Sequence, residues 1–218
     1  MNQSVGIIGG ADGPTAIFVT RPVGLATLWA FGALLAALAV LLLLARLTKK
    51  TAPFAVLGAA LVVLADQYVK LLSDAMESDE TAPLLPGLLR LEPVHNYGAA
   101  WSSFSGERAL LIVVTAVGLG VLAYLAIRIV RHPLGVWSLW LVIGGGVGNL
   151  VDRVTLGYVR DMLATEFMRF PVFNAADIFV TCGTVAAAVY YLKYYEKYDA
   201  KNWEKASHGA DASDNGTG

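Results

Sequence analysis

Two aspartates of this sequence stand in patterns that suit acid–base chemistry. Asp161 ends the segment GYVRD, and Asp177 ends the segment FPVFNAAD a short distance along the chain. Two carboxylates that lie close together cannot both ionise cheaply, so such a pair shares a proton. One carboxylate can then act as a base on a water molecule while the other donates a proton to the substrate. Asp161 and Asp177 are therefore the candidate catalytic pair.

Each of these aspartates also has a purely structural interpretation. Asn174 and Asp177 are spaced like the N-cap residue and the third residue of a helix, where both side chains stabilise the helix start. Asp161 alone could be a solvated loop residue. The catalytic interpretation therefore depends on the two acids meeting at one place.

Further polar residues are spaced to share helix faces. Asn149, Asp152 and Arg153 lie at i, i+3 and i+4, and Asp66 and Lys70 lie at i and i+4. Both groups could simply form ion pairs at a membrane surface. Alternatively, they could orient the two acids and donate hydrogen bonds to the carbonyl groups of a substrate.

Glycines and one amide complete the candidate site. Gly145 belongs to the run GGGVG, whose missing side chains favour close helix packing or leave a groove for another apolar chain. Asn96, in HNYGAAWS, fits either a turn or a loop that presents its amide to an extended substrate.

The composition identifies the elements that must position these residues. The 218 residues are 56% hydrophobic and only 15% charged, whereas soluble domains carry about 25% charged residues. Residues 23–45 contain no charge and are long enough to cross about 30 Å of hydrocarbon as a helix. The sequence predicts an all-α polytopic membrane protein with five spans, at 23–45, 53–69, 109–130, 134–151 and 174–195. The LLRLEPVHN section could hold short strands, and 152–171 is predicted as a polar connection with an amphipathic middle.

Basic residues set the expected orientation. Lys and Arg cluster after the first and third spans and after the fifth, so these ends share the cytoplasmic side. The acidic loop 73–108 and the connection 152–171 then lie outside, and the candidate polar residues fall at that outer face. Charged groups at membrane depth are costly and mark functional sites.

Several classes of protein are disfavoured. The net charge of −1 gives no argument for nucleic-acid binding, and the histidines are too scattered to predict a metal site. Cys182 is the single cysteine of the sequence, so an internal disulfide is excluded. It is expected to be a small buried apolar residue. A transporter or ion-pathway protein stays open, because intramembrane acids also mark ion pathways.

At its polar residues the chain resembles lipoprotein signal peptidase (signal peptidase II), a bacterial membrane aspartic peptidase. The matching segments are DQYVK, HNYGAAWS, GGGVGNLVDR, GYVRD and FPVFNAAD, in the family order. The resemblance implies a four-helix peptidase bundle with a small extracytoplasmic β element, here preceded by one extra transmembrane helix. It implies cleavage of signal peptides before a cysteine that carries diacylglycerol. It also implies sensitivity to globomycin and no metal or cofactor.

The resemblance also assigns roles to the site residues. Asp161 and Asp177 match the catalytic dyad. The supporting shell that lines the substrate groove is matched by Asp66, Lys70, Asn96, Gly145, Asn149, Asp152, Arg153 and Asn174. The implied partners are diacylglyceryl-modified prolipoproteins and membrane lipids, and the protein is expected to be a monomer in the bacterial cytoplasmic membrane. A non-catalytic lipopeptide-binding relative is the remaining alternative, although it should have lost a dyad carboxylate.

The chain departs from this family at a few points. Trp101 stands where Phe is usual, Arg160 replaces a usual apolar residue, and the Asp161–Asp177 connection is slightly short. The segment SVGIIGGADGPTAIFV also resembles the membrane β subunit of sodium-pumping decarboxylases, in which Asp12 could bind Na⁺. The predicted organisation is a glycine-rich segment at 1–22, an extra helix and basic loop at 23–50, the peptidase domain at 51–196 and a disordered polar tail at 197–218.

Overall fold

Five long apolar helices dominate the computed structural model, which describes residues 5–8, 16–19, 23–76, 81–98 and 107–203. All five are long and apolar enough to cross a membrane, which confirms the predicted spans and the helical membrane fold. A π-helical turn at Leu125–Ile129 extends the third helix. The helices are α1 Val23–Thr48, α2 Ala52–Ser73, α3 Arg108–Tyr124, α4 Pro133–Thr155 and α5 Ala175–Tyr198.

Glycines allow the helices of the bundle to pack closely around α4, which contacts α2, α3 and α5. A Cβ atom added at Gly144 would lie 2.9 Å from the carbonyl oxygen of Ala59 on α2. One added at Gly183 on α5 would lie 2.9 Å from the carbonyl oxygen of Ser138 on α4. Small residues at such crossings let two backbones approach, which drives helix association in a lipid environment.

Three short strands form an antiparallel sheet at one end of the bundle, in the order β3–β4–β5. They are β3 Ala82–Leu85, β4 Leu89–Asn96 and β5 Val159–Thr165. A separate pair, β1 Val5–Ile8 and β2 Ala16–Val19, lies near the N-terminus. The sequence indicates β4, but β5 lies in the segment for which it predicts only a polar connection.

The sheet has its own hydrophobic core, distinct from the core of the bundle. Leu84, Leu91 and Met162 are buried in it together with Val69 at the end of α2. Phe31 of α1 packs against the same cluster. The extra N-terminal helix therefore supports the sheet as well as the bundle.

The register of the sheet places polar residues beside one another. Val94 pairs with Asp161 and Asn96 with Val159, after an irregularity between Leu91 and Val94. This irregularity contains Pro93, whose missing N–H cannot join a ladder of hydrogen bonds. The end of β4 thereby brings the Asn96 side chain next to Asp161.

Two sequence expectations differ from the structure, and others lie outside the described residues. The chain is helical at 200–203 and Asp199 is buried, so the described part of the predicted tail is folded rather than disordered. Cys182 is exposed instead of buried, because an apolar residue of a membrane helix can face lipid instead of protein. Trp101, Asp12 with its GADGP segment and the remaining tail lie outside the described residues.

Candidate active site

Asp161 is buried at the junction between the sheet and the helices, with only 3% of its surface exposed. The Asn174 side-chain amide donates to Oδ1 at 2.6 Å, and the Asn96 amide donates to Oδ2 at 3.0 Å. Both carboxylate oxygens are therefore held by amides from other elements, so the interpretation of Asp161 as a solvated loop residue is wrong.

Asp177 lies in the first turn of α5, where it also caps the helix. Its backbone N–H donates to Asn174 Oδ1, and the Asn174 backbone N–H donates to Asp177 Oδ2 at 3.1 Å. Its Oδ1 accepts from Asn149 Nδ2 at 2.8 Å. The capping interpretation is thus confirmed, and it coexists with a place in the polar cluster.

A chain of amides connects the two acids. Asn174 Nδ2 donates to Asp161 and also to Asn149 Oδ1, at 3.0 Å, while the amide nitrogen of Asn149 donates to Asp177. The orientation of one carboxylate is therefore coupled to that of the other through two side chains.

The surroundings of Asp161 favour its protonated form. Burial of the carboxyl group and the neighbouring negative charge of Asp177 raise its pKa to about 6, against the opposing effect of the Asn96 and Asn174 hydrogen bonds. Loss of hydration disfavours a charged carboxylate, and a second carboxylate nearby adds to this effect. A proton can thus be held and released at this position near neutral pH.

A fully buried lysine lies beneath the amides and joins α2 to α4. Lys70 Nζ lies 2.8 Å from Asp66 Oδ2, 3.3 Å from Asp152 Oδ2 and 3.0 Å from Asn149 Oδ1. Asp66 Oδ1 in turn accepts from the backbone N–H of Ala176 on α5. These contacts satisfy the ammonium group, which a buried charge requires, and they fix Asn149 in its orientation.

Glycines on α4 provide the space for this network. A Cβ at Gly148 would lie 2.5 Å from Asp66 Oδ2, and one at Gly145 would lie 2.5 Å from the carbonyl oxygen of Ala176. Any larger residue at these two positions would push α2 or α5 away from α4. The glycine-rich run therefore serves close packing directly around the polar cluster.

The two charged neighbours on α4 point to different partners. Arg153 Nη2 donates to the carbonyl oxygen of Gly98 at 3.0 Å, whereas Asp152 accepts from Gln67 and Arg160. Among the described residues the two make no ion pair with each other, so that interpretation is wrong. Adjacent helix residues do not face each other, which separates their contacts.

A cavity of about 750 Å³ lies beside the two acids. Asn96, Asn149 and Arg153 line it near the acids, and Val180 and Cys182 line it further along α5. The segment Phe170–Phe173 forms part of its wall. One cavity therefore joins the acids to the apolar surface of a membrane helix, which suits a substrate that is partly in lipid and partly in water.

Residues 58–193 match the family model described as signal peptidase (SPase) II. The chain belongs to the signal peptidase II family. Lipoprotein signal peptidases are similar to it in Enterococcus faecalis, with 39% identity over 135 residues, and in Streptococcus pyogenes, with 34% identity over 139 residues. These alignments cover 60% and 62% of this chain and 83% and 90% of the relatives.

Solved structures agree with this assignment. One, described as a bacterial membrane enzyme structure obtained by the in meso method at 2.3 Å, superimposes with a TM-score of 0.63 at 29% identity. The match covers 67% of this chain and 92% of that one. As a signal peptidase II, this multi-pass membrane protein removes signal peptides from prolipoproteins. The resemblance of the N-terminal segment to a decarboxylase subunit stays a prediction.

The structure places all the predicted site residues in or around one cluster. Gln67 and Arg160 also belong to the polar network, although neither was predicted as a site residue. Gln67 is part of the DQYVK motif, but apart from a hydrogen bond to Asp66 its side-chain partners lie more than 80 positions away in the chain, including Asp152. Sequence spacing carries no information on such long-range contacts.

Proposed function

We propose that this signal peptidase is an aspartic endopeptidase in which Asp161 and Asp177 act on the peptide bond before a diacylglyceryl-modified cysteine. The observation that supports this most directly is the amide chain through Asn174 and Asn149, which orients both carboxylates toward one cavity. The raised pKa of Asp161 adds a proton donor beside a second acid.

Different surroundings favour different roles for the two acids. The N-terminus of α5 and two hydrogen-bond donors stabilise negative charge on Asp177. Asp177 would therefore accept a proton from water, whose oxygen attacks the carbonyl carbon of the scissile bond. Asp161, more deeply buried, would donate its proton, and the amine of the cysteine leaves when the carbon–nitrogen bond breaks.

The other polar residues would hold the substrate and the acids. Arg153 and Asn96 line the cavity beside the dyad and would donate to backbone carbonyl groups and to the developing oxyanion. Lys70, Asp66 and Asp152 lie behind the acids and would act by fixing the position of Asn149. Asn174 connects both acids, and Gly145 allows α5 to come close enough for it to do so.

The substrate would enter from the bilayer. Its signal helix and acyl chains would lie along the part of the cavity lined by Ile178, Val180 and Cys182, whose apolar surface matches lipid chains. The basic residues after α1, α3 and α5 favour a cytoplasmic location for the opposite end of the bundle. The dyad would then work at the extracytoplasmic face of the cytoplasmic membrane. Residues 1–50 would be an addition to the peptidase domain.

The test is cleavage of a purified diacylglyceryl-modified prolipoprotein and of its unlipidated form. We expect wild-type protein to cleave only the lipidated form, and Asp161→Asn and Asp177→Asn to lose cleavage while remaining folded. Glu92→Gln, which removes an acid from the same sheet outside the cluster, is the matched control. Wild-type rates in either aspartate variant would refute the dyad, and equal cleavage of the unlipidated form would refute the substrate assignment.

A further inference from the structure

Arg160 holds a buried positive charge directly before Asp161 in β5. Only 7% of its surface is exposed. Successive side chains of a strand point to opposite faces. Asp161 therefore faces the cavity, while the guanidinium of Arg160 reaches back toward the helices on the other face of the strand.

The guanidinium connects the strand to two helices. Its Nε and Nη2 donate to the two carboxylate oxygens of Asp152 on α4, at 3.2 and 2.8 Å. Nη2 also donates to Gln67 Oε1 on α2 at 2.8 Å, and Nη1 donates to Asp74 Oδ2, at the end of α2, at 2.7 Å. The backbone N–H of Arg160 donates to Asp152 as well, at 3.0 Å.

These contacts connect β5 to the helices, in addition to its pairing with β4 and its own buried residues. β5 is an edge strand, paired with β4 on one side and joined to Phe173 by an isolated bridge. A two-point contact between guanidinium and carboxylate defines direction as well as distance. The planar fork of arginine is required for this, since a lysine ammonium is a point charge and cannot reproduce it.

We propose that Arg160 is a positioning residue for the peptidase reaction, which holds β5 against α2 and α4 so that the Asp161 carboxylate meets the scissile bond in a reactive geometry. This inference rests on the proposed catalytic role of Asp161. Arg160 contacts neither the cavity nor the substrate, and it acts through the placement of its neighbour.

The test compares steady-state cleavage of a lipidated peptide by wild type, Arg160→Met, Arg160→Lys and the control Arg90→Met. Arg90 also lies in the sheet, but its side chain pairs with Glu92 on the same strand and not with a residue of the helices. A misplacement of about 1 Å costs about 100-fold in rate. We therefore expect Arg160→Met to lower kcat by about 30- to 100-fold with KM within about threefold of wild type. Arg160→Lys should lower kcat by at least about fivefold, and Arg90→Met should match wild type.

A purely structural role is distinguished by repeating Arg160→Met in the Asp161→Asn background. A positioning residue loses its effect on the residual rate when the group it positions is absent, because residues that act as a unit are not additive. An equal further loss of rate in that background would overturn the proposal. Thermal unfolding of each variant shows the loss of stability separately.

The remaining outcomes also test the positioning role of Arg160. Wild-type kcat in Arg160→Lys, or a rise in KM alone in either variant, would overturn the positioning role. If Arg160→Met does not fold, the kcat of Arg160→Lys decides alone. A wild-type rate in Asp161→Asn would refute the proposed dyad itself, whereas a rate reduced to a small residue in Asp161→Asn beside fully active Arg160 variants would refute only the role of Arg160.

Discussion

The hydrogen bond from Asn96 to Asp161 should set the upper pH limit of the reaction. The proposed mechanism needs a proton on Asp161, whose pKa is raised to about 6. The wild-type kcat/KM, which reports the free enzyme, should therefore fall as the pH rises above about 6. Asn96 Nδ2 donates to Asp161 Oδ2 at 3.0 Å and favours the ionised form. Replacing Asn96 with Ala should raise the pKa and move this limb to higher pH.

The size of this displacement follows from the strength of the bond. A hydrogen bond to a charged group is worth about 1.5–3 kcal/mol, and about 1.4 kcal/mol corresponds to one pH unit. The alkaline limb of Asn96→Ala should therefore lie about one to two pH units above that of wild type. The maximum rate should also decrease, because Asp161 loses one of its two orienting amides, but the position of the limb is independent of that decrease.

The assay is the pH dependence of kcat/KM for a fluorogenic lipidated peptide in detergent, from about pH 4 to pH 9. Glu92→Gln serves as the control and should leave the limb unchanged, because Glu92 is hydrogen-bonded to Arg90 on the strand. A limb that does not move in Asn96→Ala, or that moves to lower pH, would refute the reasoning. A wild-type rate that rises through pH 6 would show that Asp161 acts in its ionised form.

Four further variants test the packing and the charges of the site. Gly148→Ala places a Cβ 2.5 Å from Asp66 Oδ2 and should cost about 1–3 kcal/mol in unfolding free energy and most of the activity. Gly146→Ala meets only a flexible side chain and should be tolerated. Thermal unfolding and cleavage rates check both variants. Lys70→Met leaves the buried carboxylate of Asp66 without its cationic partner, while Asp152 keeps Arg160, and should destabilise the protein by about 3–5 kcal/mol. Equal unfolding free energies of wild type and variant would contradict the buried ion pair. The pKa of Asp161 is raised from 3.8 to about 6 in the folded protein, so its contribution to stability is complete below about pH 4 and is lost as the pH rises through 6. This contribution amounts to about 3 kcal/mol. The unfolding free energy of Asp161→Asn should therefore depend less on pH than that of wild type.

The helices and the helix start at Asn174 could be predicted from the sequence because each depends on local information, whereas the assignment of Asp161 and Asp177 as a dyad came from the family motifs and stays a prediction. Long, predominantly apolar runs define the five spans, and the motif around Asn174 and Asp177 defines a helix start that the structure confirms. The partners of the charged residues could not be predicted from the sequence. Asp152 and Arg153 are neighbours in sequence but diverge by about 100° around the helix, so their partners lie on different elements.

Two other differences have physical causes that a sequence does not show. Cys182 occurs in an apolar run, which predicts burial in a soluble protein, but a membrane helix also exposes apolar residues to lipid. Arg160 would be expected at a polar surface, yet its contacts with Asp152 and Asp74 come from segments 8 and 86 positions away. Only the folded structure brings Asp152 and Asp74 to the same residue of β5.

The two separate hydrophobic cores, one in the sheet and one in the helix bundle, are stabilised by different driving forces. Leu91 and Met162 belong to strands of the sheet beyond the end of the bundle, where burial would be driven by the hydrophobic effect and would weaken on cooling. Val62 and Trp137 belong to helices whose alternative surroundings are lipid chains, so the packing of these helices depends on close contacts and bilayer composition instead. The proposed dyad lies on the boundary between these two regions. Temperature and lipid composition would therefore act on opposite sides of the same active site.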